Sequence, residues 1–309
     1  MVKTYKFSTV YREAKFHEEP QAVEFAGEKW VAGEQALTHK RGCYYLRDAE
    51  ELVNLYPLFL LEVARREGIN ERVKVGITLP LDTFVVESRK KESGVEDNLI
   101  SRLEFNVSAH GFTPVVVPQG LAGLQYLVES GEVEADKPTL LIDGGFNTVN
   151  TAVIQPDYSV SFYKTFTDEI GIRNLVEDFF AEELKKRYPS LTTNLVVLKE
   201  VFLKEKLDTG LRIDDVSVEK KKALRRYLNK LFRKIAGELK RAGADYEQIV
   251  ILGGLSYYVS EEDFETNKTV YVPEENGEFL NVLGALEIAG SPLAVDVGFG
   301  DVKVAVRGE

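Results

Sequence analysis

The sequence predicts an α/β protein built from two similar halves, and three observations carry that prediction. The first is an internal repeat: LLIDGGFNTVNTAV at 140–153 returns as LAVDVGFGDVKVAV at 293–306, with seven of fourteen positions identical. The shared positions include Asp143/Asp296, Gly145/Gly298 and Phe146/Phe299, and a repeat at half the chain length indicates two related halves. The second is an alternation of strand-like runs with helical patterns, the arrangement of α/β folds with helices packed on both sheets. The third is composition: 309 residues, 44% apolar and 29% charged, suit a soluble globular chain with two cores.

Taken in order, Thr4–Tyr11 alternates as a strand does, and Glu28–Ala32 between Gly27 and Gly33 reads as a hairpin strand. Arg47–Glu67 places Leu52, Leu55, Tyr56, Phe59, Leu60 and Val63 at helical spacing, with Gly68 set to end it. Val73–Leu79 is a strand stopped by Pro80, and Ser93–Leu103 is polar, a loop or short helix. Thr113–Val117 is a strand stopped by Pro118, Leu121–Ser130 is helical, and the acidic Gly131–Pro138 marks a domain boundary. In the second half a strand at Val160–Lys164 precedes a long helix, Gly171–Tyr188, and Ser190–Ser217 gives no clear pattern. Val218–Ala242 is strongly helical, with Leu224, Leu228, Leu231 and Ile235 on one face. Gln248–Leu252 and Thr269–Val272 are strands, Phe279–Ala289 is a short helix, and Gly290-Ser-Pro292 leads into the last repeat.

Each repeat is an apolar run, an Asp, a glycine turn and an alternating segment, which is a β-hairpin. Glycine leaves backbone N–H groups unshielded, so such a turn can approach a phosphate closely, and an Asp at the strand end can hold Mg²⁺ through water. Lys303, seven residues after Asp296, either reaches back to that phosphate or is a surface lysine; Asn150 and Thr148 stand in the other copy. Gly253-Gly254 after an apolar strand either starts a helix or exposes backbone to a flat base or ribose. Gly171 and Asn174 open a helix within reach of the same ligand. Pro118-Gln119-Gly120 ends a strand, and Gln119 can orient a water for attack on a phosphate.

Other patterns narrow the function. A G-x-x-x-x-G-K-[ST] loop is absent, Gly298-x-Gly300 lacks the third glycine of a dinucleotide fingerprint, and His17, His39 and His110 show no metal-ligand spacing. No apolar run approaches the ~20 residues of a membrane span. One cysteine, Cys43, allows no internal disulfide, and the N-terminus lacks a secretory core, so a cytoplasmic setting is expected. The net charge of −11 disfavours broad nucleic-acid coating. The helix from Glu219 to Arg241 is nonetheless basic. It is either a solvated face or a contact surface for an acidic partner, a neighbouring subunit or DNA.

Together these features resemble the actin/Hsp70/sugar-kinase ATPase superfamily (the ribonuclease H-like fold), above all its ParM-type and archaeal actin-like members. Asp296–Lys303 resembles the family's first phosphate motif, Asp143–Thr148 its second, and Val250–Gly254 its adenosine motif. Pro118-Gln119-Gly120 resembles the segment whose Gln or Glu places the attacking water. Lys6–Val10 and Glu28–Glu34 resemble segments that follow the first phosphate motif, yet here that motif closes the chain. A circular permutation accounts for this order, with the usual termini joined near Gly290-Ser-Pro292 and the chain cut between the second and third strands. Domain I is then 1–137 plus 292–309, and domain II is 138–291.

The resemblance implies an ATPase with Mg²⁺ and ATP, or GTP, in a cleft between the two domains. Gln119, Asp143 and Asp296 would be the catalytic set, with both carboxylates on Mg²⁺ through water. Gly298, Gly300, Lys303, Gly144, Gly145, Asn147 and Thr148 would hold phosphates, and Gly171, Asn174, Gly253 and Gly254 the nucleoside. It further implies filament assembly on nucleotide binding and disassembly on hydrolysis, a role in plasmid or DNA segregation with a DNA-binding adaptor, and no membrane. The alternatives are a small-molecule or sugar kinase of the same superfamily, or a nucleotide-binding adaptor with little hydrolysis. Gln119 suits a water nucleophile better than the acceptor hydroxyl a kinase must deprotonate.

Overall fold

The computed structural model describes residues 1–14, 21–38, 43–167, 170–191 and 195–308, so His17 and His39 lie outside the described residues. The chain forms two compact units, Met1–Ser130 with Phe279–Glu309, and Gly131–Glu278.

In the first unit β1 (Val2–Ser8) is followed by a small sheet of β2 (Tyr11–Glu13), β3 (Val23–Phe25) and β4 (Glu28–Ala32). Ala26 (φ 55°) and Gly27 (φ 81°) form the two-residue β3–β4 turn, and positive φ at both positions suits the right-handed twist of a tight hairpin. α1 (Ala49–Glu67) starts where the Asp48 side chain accepts from the Glu51 N–H and ends at Gly68 (φ 67°). There follow β5 (Val73–Leu79), α2 (Leu81–Glu92), α3 (Leu99–Ala109), β6 (Phe112–Pro118) and α4 (Leu121–Glu129). The sequence pattern does not reveal α2, because only Leu81 and Glu87 of its residues are buried and it carries no apolar stripe.

The second unit holds β7 (Thr139–Gly144), β8 (Val149–Ile154) and β9 (Val160–Phe166). The helix expected at Gly171–Tyr188 is α5 (Ile172–Asn174), a π-helical stretch (Leu175–Phe180) and α6 (Ala181–Arg187) in succession. The unreadable stretch before Ser217 contains α7 (Leu195–Lys204) and a hairpin of β10 (Lys206–Asp208) and β11 (Ile213–Asp215). α8 (Ser217–Ala242), β12 (Gln248–Leu252) and β13 (Thr269–Tyr271) follow. The chain then returns to the first unit for α9 (Leu280–Ala289), β14 (Leu293–Val297) and β15 (Asp301–Arg307).

The two large sheets have one plan. In the second unit the order is β13-β12-β7-β8-β9, with β7, β8 and β9 antiparallel and β7, β12 and β13 parallel. In the first it is β1-β15-β14-β5-β6, again with three antiparallel strands and two added in parallel. The strands of the second unit are used in chain order. In the first unit the two innermost antiparallel strands are the last in the chain, and β1 joins them from the start, the Gly308 N–H donating to the Met1 carbonyl at 2.8 Å.

Strand alternation gives the first unit two cores. Val75, Ile77, Leu293, Val295, Val302 and Val304 pack with α1 and α3 on one face. On the other, Ala294, Ala305 and Val117 meet α4 and α9. That second face is lined by small residues for a reason. A Cβ on Gly76 would lie 2.4 Å from the Ala285 carbonyl oxygen, and one on Gly284 would lie 1.9 Å from that of Ala122. α9 therefore belongs to the first unit, and the chain crosses between units at 278/279 instead of the expected 291/292. The earlier crossing falls at 130/131 instead of 137/138, placing the acidic Gly131–Pro138 stretch in the second unit.

Candidate functional site

Both repeats are β-hairpins in the same register. Asp143 pairs with Asn150 and Asp296 with Lys303, while Gly144 and Val297 precede the turns. Each turn closes on the same bond: the Gly145 N–H donates to the Thr148 carbonyl at 2.8 Å, and that of Gly298 to the Asp301 carbonyl at 3.0 Å. Both turns lie at the carboxyl ends of the parallel strands, where ligands bind in open α/β sheets. Phe146 and Phe299, the matching aromatics, both project outward, 37% and 40% exposed. The Lys199 ammonium stands 5.3 Å from the Phe146 ring centre.

The polar settings of the two turns differ. Asp296 is 2% exposed, and a buried carboxylate persists only with donors around it. Its Oδ1 accepts from the Thr78 hydroxyl at 2.5 Å and from Gln119 Nε2 at 2.6 Å, and Lys303 Nζ stands 3.6 Å from Oδ2. Asp296, Lys303, Thr78 and Gln119 thus form one group at the end of the sheet. Gln119 is placed by its own N–H, which donates to the Leu79 carbonyl, and Gly120 beyond it has φ 78° and donates to Asn281 Oδ1 at 2.7 Å. Under Asp296 the buried Tyr56 hydroxyl donates to the Val295 carbonyl at 2.6 Å and accepts from the Thr78 N–H at 3.0 Å. Burial, with the Asp296 charge adding to it, pushes that phenol well above its ordinary pKa, so it stays a neutral hydrogen-bonding post.

Asp143 is half-buried, and the neighbouring strand contributes no hydroxyl. Leu252 pairs with it instead, and Gly253 lies against its carboxylate. Gly253 has φ 72°, and a Cβ there would fall 2.2 Å from Asp143 Oδ1. Gly253 also begins the following 3₁₀ turn, and Gly254, half-buried, is its second residue. Opposite, Asn150 Oδ1 accepts from the Thr165 hydroxyl at 2.9 Å. Gly171 packs on the turn itself: its Cβ would stand 2.4 Å from the Phe146 carbonyl oxygen. The next N–H groups, of Ile172 and Arg173, donate to the carbonyls of Gly145 and Phe146 at 3.2 and 3.0 Å. Turn and helix start are therefore one rigid piece. Asn174 lies one turn further on, its amide donating to Asp178 at 2.7 Å.

Within each unit most of the expected residues lie at one end of the sheet, while Asn174 instead engages Asp178. Gln119, Asp296, Gly298, Gly300 and Lys303 gather in the first, and Asp143, Gly144, Gly145, Asn147, Thr148, Gly171, Gly253 and Gly254 in the second. Sequence reasoning missed Thr78, Tyr56 and Asn281. A threonine at a strand end before proline was the only signal for the first of these. Among the described residues no group of three or more His, Cys, Asp or Glu side chains is placed to cage a metal. The carboxylates present suit Mg²⁺ that keeps most of its waters.

No protein-family model and no curated relative matches the sequence. Solved structures do match the fold. An archaeal actin homolog, Ta0583, is 16% identical, with 92% of each chain covered and a TM-score of 0.67. ParM in a 15-stranded filament from Clostridium botulinum is 17% identical, with 92% of each chain covered and a TM-score of 0.55. Bacillus thuringiensis ParM, solved with ADP, is 14% identical over 92% of this chain and 90% of its own, with a TM-score of 0.54. The fold is the two-domain α/β fold of the actin-like proteins.

Proposed function

We propose that this chain, sharing the actin-like fold, is a nucleoside triphosphatase whose two glycine turns bind the phosphates of Mg·ATP or Mg·GTP. The observation that carries this reading is the paired turns: the same register and closing bond, each with an Asp at the same strand position. The Gly145 and Gly298 N–H groups close the turns, and the backbone N–H groups of Asn147, Thr148 and Gly300, with Lys303, supply the donors a polyphosphate needs. Gly254 leaves open backbone for the nucleoside, while Gly171 and Gly253 serve by shaping the second turn.

Bound Mg²⁺ would offset phosphate charge, held through water by Asp143 and Asp296. The rest falls to the chain. Phosphoryl transfer depends on positioning and electrostatics. With Gln119 Nε2 anchored on Asp296, its Oε1 would be the acceptor that orients an attacking water. Asp296 cannot drift, because Thr78, Gln119 and Lys303 hold it from separate elements.

The same reading takes the protein to be a cytoskeletal ATPase of the cytoplasm that assembles on nucleotide binding and disassembles on hydrolysis. The related ParM appears as a filament, and DNA segregation through an adaptor follows as the cellular role. The chain order of the first unit is taken as a circular permutation of the second unit's plan. The decisive experiment is phosphate release from Mg·ATP and Mg·GTP by the wild type, Asp143→Ala and Asp296→Ala, with sedimentation in the same nucleotides. We expect turnover and nucleotide-dependent pelleting in the wild type and neither in the variants. Unchanged turnover in either variant removes that turn from the active site.

A further inference from the structure

The basic helix α8 is not used by the reading above, and its surface is organised. Lys222, Arg226, Asn229, Arg233, Ala236 and Lys240 recur at alternating steps of four and three residues, which sets them in one row along the helix. The row spans about 27 Å at 1.5 Å per residue. Arg226 is paired with Glu182 and Glu183. Lys222, Arg233 and Lys240 are exposed and, among the described residues, have no ion-pair or hydrogen-bond partner. Three unneutralised cations in a row are unexpected on a chain of net charge −11.

Beside this row the second unit has a groove of about 290 Å³ between α8 and the Asp263–Thr266 segment. Leu228, Phe232, Ala236, Ile249 and Phe264 give it an apolar lining. The Phe232 and Phe264 rings meet edge to face at 5.7 Å, so its floor is set by packed aromatics. The acidic groups on the far bank are already engaged. Asp263 accepts from the Ser260 N–H and hydroxyl at 2.8 and 2.9 Å, and Glu265 pairs with Arg225 at 2.9 Å. Of the two only Glu265 is neutralised; Asp263 keeps its charge, and against it stand Lys222, Arg233 and Lys240, so the balance along this edge is positive.

We propose that this groove is a docking site for an acidic amphipathic segment of a partner protein. Apolar anchors of the segment enter between α8 and Phe264, and its carboxylates meet Lys222, Arg233 and Lys240. This is the helix-in-groove mode, in which anchors supply affinity and rim charge supplies steering. A nucleic-acid backbone fits less well, because it has no use for an apolar floor.

The test uses the full-length protein and a fluorescein-labelled helical peptide with Leu and Phe at i, i+4 and i+7 and Glu at the flanking positions. Anisotropy should report binding that weakens as salt is raised. It should fall about tenfold or more in the triple variant Lys222→Glu/Arg233→Glu/Lys240→Glu, and similarly in Ala236→Trp, which fills the groove. The altered residues are exposed, so neither variant threatens the fold. A peptide of the same composition with its apolar spacing scrambled should bind about tenfold more weakly or worse. Four results would overturn the proposal: no binding by the wild type, equal binding of the scrambled peptide, tighter binding of a DNA duplex that ignores Ala236→Trp, or concentration-dependent self-association lost in the same variants. The third would make the row a phosphate surface, and the fourth would make a second copy the occupant.

Discussion

Replacing Gly253 by alanine tests how the second turn is built. Two penalties apply and can be separated. The backbone at Gly253 has φ 72°, and a Cβ in the left-handed region costs roughly 1–2 kcal/mol. The added methyl would also fall 2.2 Å from Asp143 Oδ1 and 2.9 Å from the Gly144 carbonyl oxygen. One of them must move by about an ångström, and overpacking of that kind costs roughly 1–3 kcal/mol more. Gly243 in the same unit supplies the control, with φ 65° and nothing within 4 Å of a Cβ, so Gly243→Ala bears only the first penalty. Gly254→Ala is the second control, since its Cβ would meet Ile172 Cδ1, the tip of a flexible side chain, at 3.1 Å and the Gly144 carbonyl oxygen at an ordinary 3.8 Å. Urea unfolding should rank the losses as Gly253→Ala, then Gly243→Ala, then Gly254→Ala, with the first exceeding the second by ~1–3 kcal/mol at unchanged slope. Nucleotide affinity should fall in Gly253→Ala, whose methyl displaces the Asp143 carboxylate, and should not change in Gly243→Ala. Equal losses for Gly253→Ala and Gly243→Ala would refute the claimed contact.

Thr78→Val removes one donor from the buried Asp296 and should cost ~1–3 kcal/mol of stability by urea unfolding, since the carboxylate stays buried; a neutral result would show that the hydroxyl is not needed there. Gln119→Ala should bind nucleotide as before yet release phosphate at least about tenfold more slowly, and wild-type turnover would end its assigned role. Joining Glu309 to Met1 through a linker of ~4 residues, a common hairpin length, and opening the chain before Ser291 should yield a folded protein that still binds nucleotide. β1 and β15 already pair from Val2/Arg307 to Ser8/Asp301, so an unfolded product would contradict the permutation reading.

Much of this was legible from residues alone, and the parts that were not have physical reasons. The hairpins could be read because a repeat of Asp, Gly and Phe at fixed offsets is a local signal, and the register follows from strand alternation. α2 was hidden because a helix with almost no buried side chain has no periodicity to display. The steric requirement for glycine at 253 has no local signal. Its cause is a carboxylate 110 positions earlier in the chain, which only strand pairing brings alongside. Thr78 escaped for the same reason, since a strand hydroxyl looks alike whether it faces water or a buried aspartate. α9 was given to the wrong unit because its pattern is apolar all round and does not say which sheet it covers.

The position of β14 has a consequence for how the protein is made. It is the middle strand of the first sheet, flanked by β15 and β5, yet it leaves the ribosome after the whole second unit. At ~5–20 residues per second, translation needs on the order of ten seconds or more to run from β6 to β15. Through that interval β1 and β5 have edges that only the final hairpin can cover, and unpaired edges invite wrong pairing. The second unit is continuous in the chain and can complete its sheet meanwhile, so the nascent protein carries one finished half and one waiting half. Insertion of the last hairpin closes a loop of most of the chain's length, which slows the step although the closure entropy grows only logarithmically. Nascent-chain capture by chaperones should therefore concentrate on the waiting strands until the final hairpin is released.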